Sequence, residues 1–512
     1  MLAKVLSSAT LGVNAYSVEV EADIQQQLPA FITVGLPEGA VRESKERVTA
    51  AIKNSDFVFP SKKVTINLAP ADVRKEGSAF DLPIAVGILA ATGQILKDRF
   101  DEYVLLGELS LDGAVRPVPG VLPMAMHARS ENGLKGLIVP KENASEAAIA
   151  ESLPVYPVSS LRETIEFLED PGAITPFELD INSVFSSACN YAVDFSDVRG
   201  QESAKRALEI AAAGGHNIIM IGPPGSGKTM LARRLPTILP EMTIAEALET
   251  TKIHSVAGLL PGNTALIATR PFRSPHHTVS DAGLIGGGRI PKPGEVSLAH
   301  HGVLFLDEIA EFHKDVLEVM RQPMEDGQVT LSRATTTLTY PANFMLAAAM
   351  NPCPCGYYGD NNHDCTCTVA AIQRYMARIS GPLLDRIDIH ITVPSVKFND
   401  LSSEACGEKS NIIRNRINAA RKRQLERFTD EKAIFCNAHM QSKDIREYCP
   451  VDEKSKSLLG LAITRQGLSA RAYDRILKVS RTIADLENTA NIETTHIAEA
   501  IHYRSLDRNL WL

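Results

Sequence analysis

Aromatic side chains are scarce in this chain. Phe, Trp and Tyr make up 5% of its 512 residues, with a single Trp. Stacking of bases on aromatic faces is therefore not expected to dominate any contact. Basic residues are not in excess either. The formal net charge of −8 excludes a uniformly basic coat for nucleic acid but leaves room for a local basic channel. There is no apolar run of about 18 residues and no charged-then-apolar leader after Met1, so no membrane association and a cytoplasmic location are expected. The eight cysteines are too few for a disulfide scaffold in so long a chain. Four of them crowd into 353–367, which points to metal rather than oxidation. Apolar residues at 44% and charged residues at 22% are ordinary for a globular protein with large cores. The length predicts roughly two to four domains.

The stretch Ile218–Thr229 organises the rest. It reads Ile-Ile-Met-Ile-Gly222-Pro223-Pro224-Gly225-Ser226-Gly227-Lys228-Thr229, a short apolar strand running into the G-x-x-x-x-G-K-[ST] spacing of a phosphate-binding loop. The glycines let backbone N–H groups face inward around phosphate oxygens. Lys228 can reach the outer phosphates as a point charge, and the Thr229 hydroxyl can ligate Mg²⁺. A helix over Met230–Leu235 would add its N-terminal dipole. ATP and Mg²⁺ are the expected ligands.

Two further strands supply chemistry. Val303–Leu306 is continuously apolar, as buried parallel strands are, and ends at Asp307-Glu308. In the same sheet as the loop, Asp307 can hold the Mg²⁺ water shell and Glu308 can orient and deprotonate an attacking water. Phe344–Ala349 ends at Met350-Asn351. The amide there can bond a γ-phosphate or the water, although a strand-ending Asn also suits a plain turn.

Ahead of this centre, residues 1–170 read as one α/β domain. Its expected strands are Ser17–Val20, Phe31–Val34, Lys63–Asn67, Tyr103–Leu106 and Gly136–Val139, and its expected helices are Ala40–Asn54 and Asp81–Ala91. Residues 171–194 are rich in Pro, Ser and Asn and read as a linker. An Ala-rich helix, Glu202–Ala213, then leads into the loop strand.

Together these elements resemble the AAA+ ATPases, and more closely their magnesium-chelatase-like branch, the YifB/ComM family. The segments that carry the resemblance are Phe31–Pro37, Asn67–Gly77, Phe272–Gly288, Asn351–Gly356, Ser380–Asp388 and Leu468–Leu486, so it covers nearly the whole chain. The resemblance implies an α/β architecture with a Lon-protease-like front domain, an AAA+ core over 195–403 with a doubly wound parallel sheet, and a C-terminal helical lid over 404–512. It also implies a homo-oligomeric ring of six subunits driven by ATP. ComM-type members look like DNA branch-migration helicases that serve natural transformation. By the same resemblance, Arg386 is the arginine finger that reaches a neighbour's ATP, with Arg374 and Arg378 as rivals. Arg471 is the lid arginine that touches the γ-phosphate, and Val198, Gly200 and Gln201 border the adenine.

Two segments are candidates for meeting DNA. One is an insertion at about 258–301 with Gly286-Gly-Gly288 and Arg289. The other is a hairpin at about 328–340 with Arg333 near its tip. Solvated loops that only support a subunit interface are the competing reading. The pair His276-His277 is assigned no metal.

The front domain resembles Lon, which uses a Ser–Lys pair. The matching run is Lys75-Glu-Gly-Ser-Ala79-Phe-Asp81, with Ala79 at the nucleophile position. Pro123 stands where the lysine belongs. The domain is expected to be non-proteolytic and used for assembly or DNA contact, the remaining alternative being Ser78 with Lys75 as base. Cys353-Pro-Cys355 and Cys365-Thr-Cys367 could place four thiolates around Zn²⁺, with His363 as a substitute ligand. Reduced loop cysteines or a dithiol pair are the alternative. A competing function is a chelatase-type motor subunit that remodels a protein partner during metal insertion into a tetrapyrrole. The extra front domain, and the want of a metal-ion-dependent adhesion domain, count against it.

Overall fold

Strands β1 (Leu2–Leu11) and β2 (Asn14–Gln25) form a long antiparallel hairpin on which the first sheet is built. The structure is a computed structural model. It describes all residues except 76, 96–98, 152, 188–190, 262–263, 289–290, 333–336, 361, 396–406, 430–433, 467 and 505–512. Sequence patterning predicts only Ser17–Val20 in this region. Alternation in β2 runs on through Ala22, and pairing with β2 holds the more polar β1 extended. Ser7 and Ser8 are buried in β1, and their hydroxyls donate to the carbonyls of Leu105 and Tyr16 at 3.0 Å each.

Five more strands complete this sheet: β3 (Ala30–Val34), β4 (Lys63–Ala69), β5 (Tyr103–Leu105), β8 (Gly136–Pro140) and β9 (Val155–Val158). Their order is β3-β4-β2-β1-β5-β8-β9. In β4 the alternation is plain: Val64, Ile66 and Leu68 are buried and the residues between them are not. A small ribbon of β6 (Glu108–Leu109) and β7 (Val115–Arg116) lies beside the sheet. The helix Asp81–Ala91 is apolar on nearly every side and is buried against β1, β2 and the helix Gly39–Asn54. At its start Asp81 is fork-paired with Arg47, with Nε–Oδ2 2.6 Å and a second contact at 3.0 Å. Burial nevertheless pushes the Asp81 carboxyl up to about 6.

The second sheet is entirely parallel. It contains β10 (Ile218–Ile221), β11 (Phe272–Arg273), β14 (Val303–Leu306), β17 (Met345–Met350) and β18 (Ile389–Thr392), in the order β11-β14-β17-β10-β18. Strands β10, β14 and β17 are buried along their whole length, as a sheet covered on both faces requires. Two ribbons stand beside it: β12 (Gly286–Gly287) with β13 (Lys292–Pro293), and β15 (Gln328–Ser332) with β16 (Thr337–Pro341). The ribbons touch each other, since Tyr340 donates its hydroxyl to the Pro291 carbonyl at 2.6 Å.

The C-terminal part is helical: Ser410–Arg427, Ser442–Tyr448, Glu453–Gln466, Ala470–Leu486 and Thr494–His502. It shares one hydrophobic core with the parallel sheet, in which Ile413, Ile417 and Ile476 meet Ile218 and Met220. No helix among the described residues is long and apolar enough to cross a membrane.

The first sheet is not tethered loosely to the second. Residues 171–194 include the helix Ile181–Ser187, and Ile181 shares a small core with Leu122, Ile149, Met242 and Leu266. Beside this core the buried Glu146 accepts hydrogen bonds from the Leu122 N–H at 2.9 Å, from Asn143 at 3.0 Å and from the Ser255 hydroxyl. The Gly120 N–H donates to the Ser255 carbonyl at 3.1 Å. Burial pushes the Glu146 carboxyl above its ordinary 4.5. Glu146→Ala leaves two or more buried donors without an acceptor, at about 1–3 kcal/mol each. Calorimetry should show the front domain melting several degrees lower. Glu146→Gln keeps an acceptor and removes the charge. Because the folded carboxyl titrates above the unfolded one, the unfolded chain loses its proton first as pH rises. Wild type should therefore lose stability relative to Glu146→Gln upward from about pH 4.5. Parallel pH–stability curves for the two proteins would contradict this.

Candidate active site

The Gly222–Gly227 loop, the phosphate-binding candidate, leaves β10 at Ile221 and enters the helix Lys228–Ile238. Gly222 is required by space, because a Cβ there would lie 2.1 Å from the Val393 carbonyl oxygen. Gly225 and Gly227 have φ of 75° and 86°, where glycine pays no steric penalty. Pro223 and Ser226 are buried inside the turn, while Pro224 and Gly225 face outward.

Lys228 is 8% exposed. Its ammonium donates to the carbonyls of Gly222 and Pro223 at 2.8 and 2.9 Å, and to Asn351 Oδ1 at 3.3 Å. Burial pulls its pKa below the ordinary 10.5, against the attraction of Asp307 and Glu308. Thr229 Oγ1 donates to Asp307 Oδ2 at 2.8 Å. This hydroxyl and carboxylate are the hard oxygen donors that suit Mg²⁺. The Glu308 N–H donates to Asp307 Oδ1 at 3.0 Å. Glu308 itself is exposed, with φ of 51°, a costly backbone state that collects at functional sites. The sheet order explains the meeting. Strand β17 lies between the loop strand and the acid strand, so Asn351 emerges between Lys228 and Asp307.

The adenine-border candidates lie alongside. Val198 is fully buried and Gly200 has φ of 61°. Gln201 Nε2 donates to the carbonyls of Ser226 at 2.7 Å and Pro394 at 3.2 Å. The buried Gln201 Oε1 has no partner among the described residues.

The two arginines assigned by resemblance are elsewhere. Arg386 is 6% exposed, paired with Glu325 and donating to the Pro382 carbonyl at 2.6 Å. It lines an open cleft of about 460 Å³ with Glu318, Arg321 and Asp326. Arg386 precedes β18, at the edge of the sheet where β10 begins. The loop follows the edge where β10 ends, and four residues of strand span about 13 Å. Arg471 is exposed, in the first turn of the helix Ala470–Leu486. One turn along its helix, Arg475 is paired with Asp388 at the same sheet edge as Arg386. There the fully buried His216 contacts Asp388 at 3.1 Å and Thr482 at 2.8 Å, joining sheet to helices. Of the rival fingers, Arg378 is half-exposed, paired with Glu311 at 2.7 Å, and Arg374 is exposed and donates to the Ala370 carbonyl at 3.2 Å. Sequence reasoning missed Glu325, His216 and Arg475, whose partners lie far off along the chain.

The four cysteines do converge. Cys353, Cys355, Cys365 and Cys367 present sulfurs that all lie within 4.8 Å of one another. His363 is not among them; it bonds Asp360 at 2.9 Å. A second cluster, Glu249 with His300 and His301, is a hydrogen-bonded network. His300 Nδ1 accepts the Asn343 N–H at 3.0 Å, which leaves its Nε2 as a donor to Glu249 at 3.3 Å. In the front domain Ser78 donates to Glu108, and Lys75 Nζ donates to the Val73 carbonyl at 2.8 Å. Ser78 and Lys75 thus have separate partners. Ala79 and Pro123 are both buried. The two DNA-contact candidates, Arg289 and Arg333, lie outside the described residues.

Comparison with known proteins gives the family. The family model described as magnesium chelatase, subunit ChlI, matches residues 194–401. Those for subunit ChlI of Mg-chelatase and for its C-terminal part match 20–143 and 407–504. The YifB protein of Salmonella typhimurium is 45% identical over 513 residues, 99% of this chain and 98% of its own length. The competence protein ComM of Haemophilus influenzae is 45% identical over 515 residues, with the same coverage. Lon protease 2 of Bacillus subtilis is 35% identical over 150 residues, 27% of this chain and 26% of its own, a likeness that falls on the N-terminal α/β part. A parallel sheet that gathers Lys228, Thr229, Asp307 and Asn351, with full-length relatives on both sides, identifies the chain as a member of the magnesium-chelatase-like family of YifB and ComM proteins.

Proposed function

We propose that this protein is an AAA+ ATPase that works as a six-membered ring and couples ATP hydrolysis to movement along DNA. The carrying observation is the meeting of three strand ends, with Lys228 on Asn351 and Thr229 on Asp307. In this reading 1–170 is a non-proteolytic Lon-like domain, 171–194 the connection, 195–403 the motor core and 404–512 the lid. The name of the Haemophilus relative, a competence protein, supports branched or single-stranded DNA as the track. Branch migration during integration of incoming DNA, in the cytoplasm, is then the finer function. Arg289 and Arg333 are the proposed DNA contacts.

The residues divide the work. Lys228 neutralises the outer phosphates, whose charge replaces the backbone carbonyls it now holds. Thr229 and Asp307 hold Mg²⁺, which when bound lowers the charge on the phosphates. Glu308 takes the proton of the attacking water, and Asn351 orients that water or the γ-phosphate. Arg386 lies toward the end of the sheet opposite its own loop, which favours service to a neighbouring subunit's ATP, and Arg471 meets the γ-phosphate when the lid closes. A chelatase-type motor acting on a protein partner is the second reading, favoured by the ChlI family models. Titrating ATPase activity with four-way DNA, and separately with porphyrin-loaded partner protein, distinguishes the two. Stimulation by the partner alone would overturn the DNA reading.

Lys228 and Glu308 should fail differently. Lys228→Ala should weaken nucleotide binding itself. Glu308→Gln should bind ATP and keep it, with hydrolysis slower by about 10²–10⁴-fold, the usual worth of a general base. Equal ATP affinity in wild type and Lys228→Ala contradicts the assignment.

Arg386→Ala should bind ATP nearly normally and hydrolyse it slowly, since fingers supplied in trans are worth about 10³–10⁵ in rate in GTPases. A Lys228→Ala subunit still owns Arg386, so mixing the two mutants should restore part of the activity. If subunits exchange and the mixture stays inactive, Arg386 is structural, as its pairing with Glu325 permits. The exposed Arg378 is then the next residue to test.

A further inference from the structure

We propose that Cys353, Cys355, Cys365 and Cys367 bind one Zn²⁺, and that this metal holds a wall of the nucleotide pocket against the phosphate-binding loop. The second clause rests on ATP occupying that pocket; the first does not.

The sulfur geometry suits one tetrahedral ion. Zn–S bonds of about 2.3 Å give a tetrahedron with S–S edges of about 3.8 Å. The separations here are 3.3 Å for Cys353–Cys355, 3.7 Å for Cys353–Cys365 and 3.6 Å for Cys355–Cys365. All are far longer than a disulfide's roughly 2.05 Å, and all four thiols are free. Backbone N–H groups already point at the sulfurs. Cys355 donates to Cys367 Sγ at 3.4 Å and Tyr358 to Cys353 Sγ at 3.3 Å. Such donors stabilise thiolate ligands and orient them. Four soft thiolates in a tetrahedron select zinc or iron over the harder ions.

The segment these thiols close touches the pocket at three points. It starts at Asn351, which bonds Lys228. Gly356, with φ of 89°, lies so close to the loop that a Cβ would meet Pro224 Cδ at 2.6 Å. Asp360, a few residues on, accepts from Ser395 at 3.3 Å, next to the Pro394 carbonyl that takes Gln201. Among the described residues of 351–367 there is no helix or strand. The thiol cluster is therefore what closes the segment, and a metal cross-link removes loop entropy from it.

The test uses the full chain, purified without chelator or a metal-affinity column. Elemental analysis should find about one zinc per chain, released by a mercurial thiol reagent. Cys365→Ser/Cys367→Ser, which alters two of the three partly exposed cysteines, should lose the metal. Affinity for a fluorescent ATP analogue is then measured before and after zinc release, with Mg²⁺ restored. It should weaken by about tenfold, because ordering even one residue's backbone on binding costs about that much. Gly356→Ala should keep its zinc and still bind the analogue more weakly. Absence of zinc, iron in its place, or a mass lower by four hydrogens from two disulfides would each overturn the metal site. One zinc per chain with unchanged nucleotide affinity after its release would overturn the clamp alone. A zinc-loaded protein that binds no nucleotide would overturn the ATP reading, and with it the clamp, while leaving the metal site standing.

Discussion

An ammonium group shut away from water has to be answered by oxygen, and Lys228 sets that demand at the centre of this molecule. Its present answers are two carbonyls of its own loop and the Asn351 amide. Burial lowers its pKa against the attraction of Asp307 and Glu308, and an anion in direct contact would be a stronger partner than a carbonyl dipole. Asp307 attracts it without touching it, being turned to Thr229. Everything around the loop serves to keep Lys228 in this position: the Gly222 contact with Val393, the Gln201 bridge and the β17 strand slotted between loop and acids.

The second constraint is polarity. In a parallel sheet every strand points the same way, so its two edges cannot exchange roles. The phosphate-binding loop, Asp307 and Asn351 occupy one edge. Arg386, Asp388, Arg475 and His216 occupy the other. No rotation of a side chain spans the length of the strands, about 13 Å for four residues. A catalytic site that needs both sets of charge can be completed only by a second molecule, or by a large swing of the helical part about the His216–Asp388–Arg475 joint.

Much of the parallel sheet was legible in the sequence, because a strand buried on both faces shows as an unbroken apolar run. Val303–Leu306 has the expected bounds, and Met345–Met350 is shifted by one residue. The helix Asp81–Ala91 was equally plain, being apolar throughout. β1 was not legible, since Lys4, Ser7, Ser8 and Thr10 give it a polar surface text although its serine hydroxyls are bonded inside the sheet. The helix Ile181–Ser187 was hidden in the same way by Asn182, Ser183, Ser186 and Ser187. Motif spacing and apolar runs pointed to Lys228, Thr229 and Asp307, each of which sits directly after or at the end of a strand that shows in the sequence. They could not locate Glu325 beside Arg386, or Gly356 beside Pro224. Those pairings depend on how distant segments are laid over one another, and a glycine in a turn reads the same whether or not something presses on it.

The strand order also bears on how the protein is made. β10 is an interior strand, and both of its neighbours, β17 and β18, come later in the chain. At roughly 5–20 residues per second, the ribosome reaches β17 about 6–25 seconds after β10 has been synthesised, and β18 later still. Through that interval Ile218–Ile221 lacks its neighbouring strands, so the nascent second sheet presents an open, fully apolar strand while the front sheet can already be complete. That bare edge on the ribosome is made of the same four residues that later lead into the Gly222–Gly227 loop.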